Sequence, residues 1–74
     1  TPITYKIILM LMRAHPRFVS REELEQSLWG EHIPSDGALR VHIHTLRKLL
    51  SLTIEQPMIV TVPGIGYRLD PVHD

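Results

Sequence analysis

Residues 35–50, SDGALRVHIHTLRKLL, decide the fold because they carry two opposite helical faces. On a wheel of about 100° per residue, the apolar positions of this stretch lie within about 60° of one another. These apolar positions are Leu39, Ile43, Leu46 and Leu50. The opposite face holds Gly37, Val41, His44 and Lys48, flanked by Thr45 on one side and by Arg40 and Arg47 on the other. We therefore predict a helix over about residues 36–50, capped by Ser35 or Asp36, with one buried face and one basic face.

Residues 39–44 also alternate apolar and polar side chains, which is a strand pattern. A strand would place His42 and His44 on one face, an arrangement that suits metal ligation, whereas a helix places them about 200° apart. The apolar stripe continues through Leu46 and Leu50 at helical spacing only. This continuation favours the helix.

Upstream, a capping box predicts a second helix. Ser20 and Glu23 have the S-x-x-E spacing, and Val19 and Leu24 occupy the staple positions. Gly30 supplies a left-handed stop. These signals predict a helix over about residues 21–29.

The chain begins with a further helix signal. Thr1 is a candidate N-cap, Pro2 suits the first helical position, and Pro16 ends the helix. We therefore predict a first helix over about residues 1–14. Its predicted apolar face consists of Tyr5, Ile8, Leu9 and Met12.

Downstream, the pattern changes from helical to extended. Residues 58–62, MIVTV, are rich in β-branched side chains, and PGIG at residues 63–66 predicts a turn before YRL at residues 67–69. A wing hairpin is therefore expected over about residues 58–69. The predicted fold class is α+β, mainly α: a winged helix-turn-helix of three helices followed by a C-terminal hairpin.

Composition places the chain among single globular domains, here spanning residues 1–74. Hydrophobic residues make up 43% and charged residues 22%, and cysteine is absent. The longest apolar run has six residues, far below the roughly 20 that a membrane-spanning helix needs. No export signal is visible, so we expect a cytoplasmic protein that does not contact membranes. A start at Thr1 rather than methionine predicts a piece of a longer protein.

The net charge of zero hides an asymmetry along the chain. Residues 22–31 contain four acids and no lysine or arginine, whereas residues 37–69 contain four bases and one acid. The basic half includes the third helix. This distribution, unlike the total, suits a nucleic-acid partner.

Several motifs now point to one family. They are TP at residues 1–2 before Tyr5, VSREEL at 19–24, LWG at 28–30, VHI at 41–43 followed by LR at 46–47, and TV at 61–62 leading to GIGYRL at 64–69. In this order and spacing the chain resembles the DNA-binding effector domain of OmpR/PhoB-type two-component response regulators. The resemblance covers nearly all of residues 1–70. The family's domain also begins with a small antiparallel sheet that is absent from this chain.

The resemblance implies that one set of side chains on the third helix faces DNA: Arg40, His42, His44, Thr45, Arg47 and Lys48. It also implies contacts to the DNA backbone from Arg21, Trp29, Thr61 and Tyr67. By length and chemistry, Arg40, His44 and Lys48 suit base edges, Arg47 suits phosphate, and Thr45 suits either a phosphate or a thymine methyl. Other roles stay open: Trp29 and Tyr67 as core residues, Arg21 as a solvated side chain, and His42 as a packed histidine.

The chain also departs from the family pattern. The family often has arginine or lysine at the positions of Gly37, His44, Thr45 and Pro63, and often an acid at the position of Arg40. Fewer basic side chains predict weaker and less salt-dependent binding. The wing also lacks its usual groove-probing arginine at Pro63. We therefore expect a target sequence different from the usual family sites.

The resemblance implies further partners besides double-stranded DNA. They are the receiver domain of the same full-length protein, a second copy in a homodimer on tandem half-sites, and RNA polymerase. The loop at residues 30–36, about one residue shorter than usual, and the acidic second helix would contact the polymerase. A simply solvated acidic face is the alternative.

No set of residues indicates catalysis, a cofactor or a metal. GIG at residues 64–66 lacks the third glycine of a dinucleotide fingerprint, and no histidine pair has i, i+4 spacing. The rival function is a winged helix that binds protein through its acidic second helix or through Val41 and Ile65. Zero net charge supports this rival.

Overall fold

Three helices and three short strands form the part of the chain that the computed structural model describes, which is residues 2–35, 37–53 and 58–70. In chain order they are α1 (Pro2–Ala14), β1 (Val19–Ser20), α2 (Arg21–Trp29), α3 (Ala38–Thr53), β2 (Met58–Val62) and β3 (Gly66–Asp70). The α+β winged helix-turn-helix class predicted from the sequence is confirmed. The candidate caps Thr1 and Asp36 lie outside the described residues.

The cap of α2 is formed as its sequence predicts. Ser20 has extended backbone angles, and its hydroxyl oxygen accepts a hydrogen bond from the Glu23 N–H at 3.0 Å. At the other end, Gly30 has a φ of 61° and its N–H donates to the Gln26 carbonyl. Both ends of α2 are therefore set by local chemistry.

Replacing Ser20 with alanine removes the acceptor for the Glu23 N–H. We expect a loss of about 1 kcal/mol in the free energy of unfolding, measured by urea denaturation. Ser27→Ala is the matched control, because Ser27 is exposed inside the same helix and alanine favours helix there. An equal loss in both variants would contradict the capping role of Ser20.

The predicted apolar face of α1 is partly wrong. Tyr5 and Met12 are 64% and 58% exposed, and the buried stripe is Thr4, Ile7 and Leu11 instead. Residues 7–12 are all apolar, so periodicity alone did not determine which side of α1 packs inward. Packing against the other elements selects the stripe.

The buried stripe predicted for α3 is confirmed. Leu39, Ile43 and Leu46 are 5% exposed or less, and Leu50 packs partly against them. The strand alternative for residues 39–44 is wrong, because these residues are helical throughout. The helix runs beyond the predicted end at Leu50, because residues 51–53 contain neither glycine nor proline to stop it.

The wing belongs to a three-stranded antiparallel sheet rather than to an isolated hairpin. The strand order is β1-β3-β2, with β2 at one edge. β1 was not predicted, because two residues show no periodicity and both already had roles at the start of α2. This small strand joins α2 to the wing: Ser20 pairs with Gly66, and the Arg21 N–H donates to the Ile65 carbonyl at 2.9 Å.

All six elements contribute to one core. Its fully or nearly buried apolar members are Ile7, Leu11, Val19, Leu24, Leu39, Ile43, Leu46, Ile59 and Leu69. A further link closes the C-terminal end of α1, where His15 Nδ1 lies 3.3 Å from the Leu69 carbonyl oxygen. With its apolar stripe in this core, α3 presents its opposite face to solvent.

Candidate nucleic-acid interface

One edge of α3 is fastened to the wing by Arg47. Its Nε and Nη2 both donate to the Ile59 carbonyl oxygen, at 3.2 and 2.9 Å. Nη2 also donates to the Thr61 hydroxyl at 2.9 Å. The side chain predicted to meet phosphate thus spans the gap between the helix and β2.

An open cleft of 270 Å³ lies along the same edge, between α3, the wing and the start of α2. Three arginines line it: Arg21 from the start of α2, and Arg40 and Arg47 from α3. The wing side is lined by Thr61, Val62, Gly64, Ile65, Gly66 and Tyr67. Positive charge and backbone groups converge here, which is the chemistry that holds a phosphate.

The other edge of α3 contacts α2 through one pair of rings. The rings of Trp29 and His42 lie 5.9 Å apart between centroids, tilted by 42°. Both side chains are half-buried, and Trp29 packs against the core. Thr45 is half-buried as well. His42 is therefore a packed histidine, with part of its surface still open to solvent.

The exposed face between these edges carries the side chains that have the most freedom to reach a ligand. Arg40, His44 and Lys48 are exposed, and none of their side chains has a hydrogen bond or an ion pair with any residue that the structure describes. Val41 lies on the same face and is 62% exposed. Sequence reasoning assigned Val41 only to the rival protein-binding function. The position of Val41 on the helical wheel, opposite the apolar stripe, could have predicted that it belongs to this interface.

The remaining predicted site residues lie at the base of the wing and of α2. Thr61 is exposed, and Tyr67 is half-buried, packs against the core and pairs with both Thr61 and Val19. Arg21 is exposed and lies 3.6 Å from the Glu22 carboxylate. The structure therefore brings Arg21, Thr61 and Tyr67 together with Arg40 and Arg47 around one cleft.

Of the acids in residues 22–31, Glu22 lies beside the cleft, where its carboxylate is 3.6 Å from Arg21, and none of the four lines the cleft itself. Glu22 and Glu23 are exposed on α2 and Glu31 is exposed in the loop after it, while Glu25 is half-buried. No group of three or more metal-ligating side chains occurs within residues 2–35, 37–53 and 58–70. Over the same residues, no helix has the length and apolar character to cross a membrane.

The fold and this face together define a winged-helix domain of a transcriptional regulator. The chain belongs to the family described as "Transcriptional regulatory protein, C terminal", which matches residues 1–69. This membership confirms the resemblance to effector domains of OmpR/PhoB-type response regulators. The family is one of regulators rather than of enzymes.

Curated relatives agree with the family. "Transcriptional regulatory protein CutR" of Streptomyces coelicolor is 41% identical over 69 residues, covering 92% of this chain and 30% of the relative. "DNA-binding response regulator MtrA" of Mycolicibacterium smegmatis is 33% identical over 73 residues, covering 96% of this chain and 32% of the relative. The MtrA of Mycobacterium tuberculosis H37Rv has the same identity and coverage. The chain thus spans about a third of the length of these relatives.

Proposed function

We propose that this domain binds double-stranded DNA with sequence preference, with α3 in the major groove and the β2–β3 hairpin on the backbone and the neighbouring minor groove. The observation that supports this most is the exposed face of α3, which lies opposite the buried stripe and continues into an arginine-lined cleft. A helix about 10–12 Å across fits a major groove about 12 Å wide.

The middle of the exposed face suits contacts to bases. The side chains of His44 and Lys48 have no partner among the described residues, and both are long enough to reach donors and acceptors on base edges. The exposed methyl groups of Val41 suit the methyl group of thymine. Arg40 reaches the same groove from the wing-side edge, and Thr45 reaches it from the edge that faces α2.

The two edges of α3 suit contacts to phosphates, because a helix in the major groove lies between two phosphate backbones. On the wing side, Arg21, Arg47 and Thr61 would meet one backbone, with Tyr67 at the base of the cleft. On the side of α2, the Trp29–His42 pair would meet the other. This assignment uses all ten side chains that the sequence predicted for the interface.

The first test is an NMR amide-shift titration of the chain with a random-sequence duplex, at low and then at physiological salt. Salt-reversible shifts within residues 37–48 and 61–67 are expected. Even if all four basic side chains of the interface, Arg21, Arg40, Arg47 and Lys48, neutralised phosphates, the slope of log K against log salt would be about −3.6, so we expect a slope no steeper than this. A dispersed spectrum that ignores DNA would refute the proposal.

Variants then separate base contacts from phosphate contacts. We expect His44→Ala and Arg40→Ala to change the preferred sequence, with about 1–3 kcal/mol lost at the affected base pair. Arg47→Ala should weaken binding to all sequences alike. If His44→Ala and Arg40→Ala left both affinity and preference intact, the recognition-helix assignment would be wrong.

Arg13→Ala is the matched control for these variants. Arg13 is an exposed base in the last turn of α1 and lines a different groove, between α1 and α2, which shares no residue with the arginine-lined cleft. Removing its charge should change neither the preference nor the salt slope. The charge lost is the same in Arg13→Ala as in Arg40→Ala, so only position distinguishes them.

The rival function, a winged helix that binds protein, has one structural observation in its favour. Val41 and Ile65 are exposed apolar side chains, 62% and 45% accessible, on the side of the molecule that carries the basic residues. The titration separates the two functions, because a protein-binding domain would retain a folded spectrum and would not respond to DNA. If the domain binds DNA in the titration, we assign Val41 to a base contact.

For the whole protein, we propose the role that its relatives' names describe, a DNA-binding response regulator of transcription, and we propose that it acts in the cytoplasm. The receiver domain of the same chain would control this domain, and two copies would bind tandem half-sites. The exposed loop at residues 31–35 and the acidic residues of α2 suit a basic surface of RNA polymerase. Charge reversal of Glu31, which is exposed in this loop and has no ion pair with any described residue, should then impair transcription without weakening DNA binding.

A further inference from the structure

We infer that Arg47 is a positioning residue that fastens the wing to α3 before any DNA is bound, and that the same contact aims one end of its guanidinium at the DNA backbone. This inference rests on the proposed DNA-binding function for its second half only. Its first half concerns the free protein and stands on the three hydrogen bonds to Ile59 and Thr61.

The N–H donors of the Arg47 guanidinium are divided between the wing and the DNA backbone. Arginine has five N–H donors: one on Nε and two on each terminal nitrogen. The Nε donor and both Nη2 donors are accounted for by the Ile59 carbonyl and the Thr61 hydroxyl. The two donors on Nη1 have no partner among the described residues. Because the guanidinium is planar, fixing three donors also fixes the direction of the other two.

The acceptor on β2 explains why the contact orders the wing. β2 is the outer strand of the sheet, paired only with β3 among the described strands. An outer strand has carbonyl groups along its free edge that no neighbouring strand satisfies. The Ile59 carbonyl is one of these, and Arg47 satisfies it from α3. We call the three hydrogen bonds from Arg47 to Ile59 and Thr61 the Arg47 strap. The strap connects the free edge of β2 to α3.

Arg47 lines the arginine-lined cleft, so its two free donors are available to a ligand there. Arg40 precedes it by seven residues, two turns along the same side of α3, and both line the cleft with Thr61. A phosphate bound in the cleft would accept hydrogen bonds from Nη1 of Arg47. Because the long arginine side chain is ordered in advance, less conformational entropy is lost on binding.

The first experiment uses the free chain without DNA. Three variants are compared by NMR hydrogen exchange of the wing amides: Arg47→Ala, Arg47→Lys and Thr61→Val. Lysine keeps the charge but cannot make the forked contact, and valine removes only the hydroxyl acceptor. We expect exchange in residues 59–62 and 66–69 to accelerate by about tenfold in both Arg47 variants and less in Thr61→Val. The Nε–H of wild-type Arg47 should give a distinct, slowly exchanging signal.

The matched control is Lys48→Ala, which removes the neighbouring positive charge from a side chain that has no partner among the described residues. It should leave wing exchange unchanged in the free protein. The strap would be overturned if Arg47→Lys exchanged like the wild type, since charge alone would then suffice. It would also be overturned if exchange accelerated equally in α1 and the wing, because that would report global destabilisation.

A second experiment tests the aim at phosphate. If the strap positions Nη1, Arg47→Lys should keep the salt slope of the wild type but bind every duplex about five- to tenfold more weakly. Full rescue of affinity by lysine would overturn this half of the inference. Failure of DNA binding in the wild-type chain would refute the proposed function instead, and the exchange result on the free protein would still stand.

Discussion

Gly66→Ala is expected to lower the free energy of unfolding by about 3 kcal/mol or more, the largest effect of any single change in the wing. Gly66 is the first residue of β3 and pairs with Ser20 on one side and Val62 on the other. A Cβ built on Gly66 would overlap the Val19 carbonyl oxygen and would lie 2.7 Å from the Ser20 Cα. Both are backbone atoms, so no side chain can swing away to relieve the clash.

The clash has a functional consequence besides lost stability. β1 can make room only by separating from β3, and this pairing joins the start of α2 to the wing. The Arg21 N–H to Ile65 carbonyl bond would be lost with it. We therefore expect Gly66→Ala to open the arginine-lined cleft and to impair DNA binding even where the variant remains folded.

Gly37→Ala is the matched control for this prediction. Apart from its chain neighbours, no atom of the described residues lies within 4 Å of a Cβ built on Gly37, just ahead of α3. Urea denaturation followed by circular dichroism should show Gly37→Ala close to the wild type and Gly66→Ala far less stable. Similar midpoints for the two variants would mean that β1 does not pack against β3 as closely as the structure indicates.

Ile43→Ala is expected to cost about 2–5 kcal/mol of unfolding free energy. Ile43 is 1% exposed in the middle of the α3 stripe, where it belongs to the core together with residues of α1, α2 and the sheet. Truncation removes three carbons from a closely packed site and leaves a cavity. For a domain of this size, whose total stability is about 4–11 kcal/mol, the loss is a large fraction.

Val41→Ala provides the comparison within the same helix. Val41 is also β-branched but is 62% exposed on the opposite face, so its truncation should change stability by less than about 0.5 kcal/mol. Thermal denaturation of both variants would test which face of α3 is buried. Equal losses would be incompatible with the observed orientation of the helix, and with it the proposed DNA-facing surface.

Local signals in the sequence were sufficient to predict an element where a residue type has one structural role at that position. Ser20 with Glu23 specified the cap of α2, and Gly30 specified its end. The stripe through Leu39 and Ile43 specified which side of α3 is buried, because polar residues fill the other side. These elements, and with them the winged-helix class, could be derived before any tertiary contact was known.

The candidate site was less determined by its sequence. The third helix and its basic face could be derived from spacing, and the resemblance added Arg21, Trp29, Thr61 and Tyr67. Neither showed what these side chains contact. The side chain of Arg47 was expected to contact a phosphate, and in the free protein it donates hydrogen bonds to the wing. The ring of His42 packs against Trp29. Such contacts join residues from elements distant in sequence, and no local pattern encodes them.

The sequence by itself therefore determined the three helices, the wing and the basic face of α3, because these depend on periodicity and capping within a few residues. Only the tertiary structure decided which side of α1 packs inward, since an all-apolar run has no preferred face until other elements cover one. The same holds for β1, whose two residues become a strand only because β3 lies beside them. The tertiary structure also decided the Arg47 strap, because its acceptors on β2 come close to α3 only when the sheet packs onto the helices.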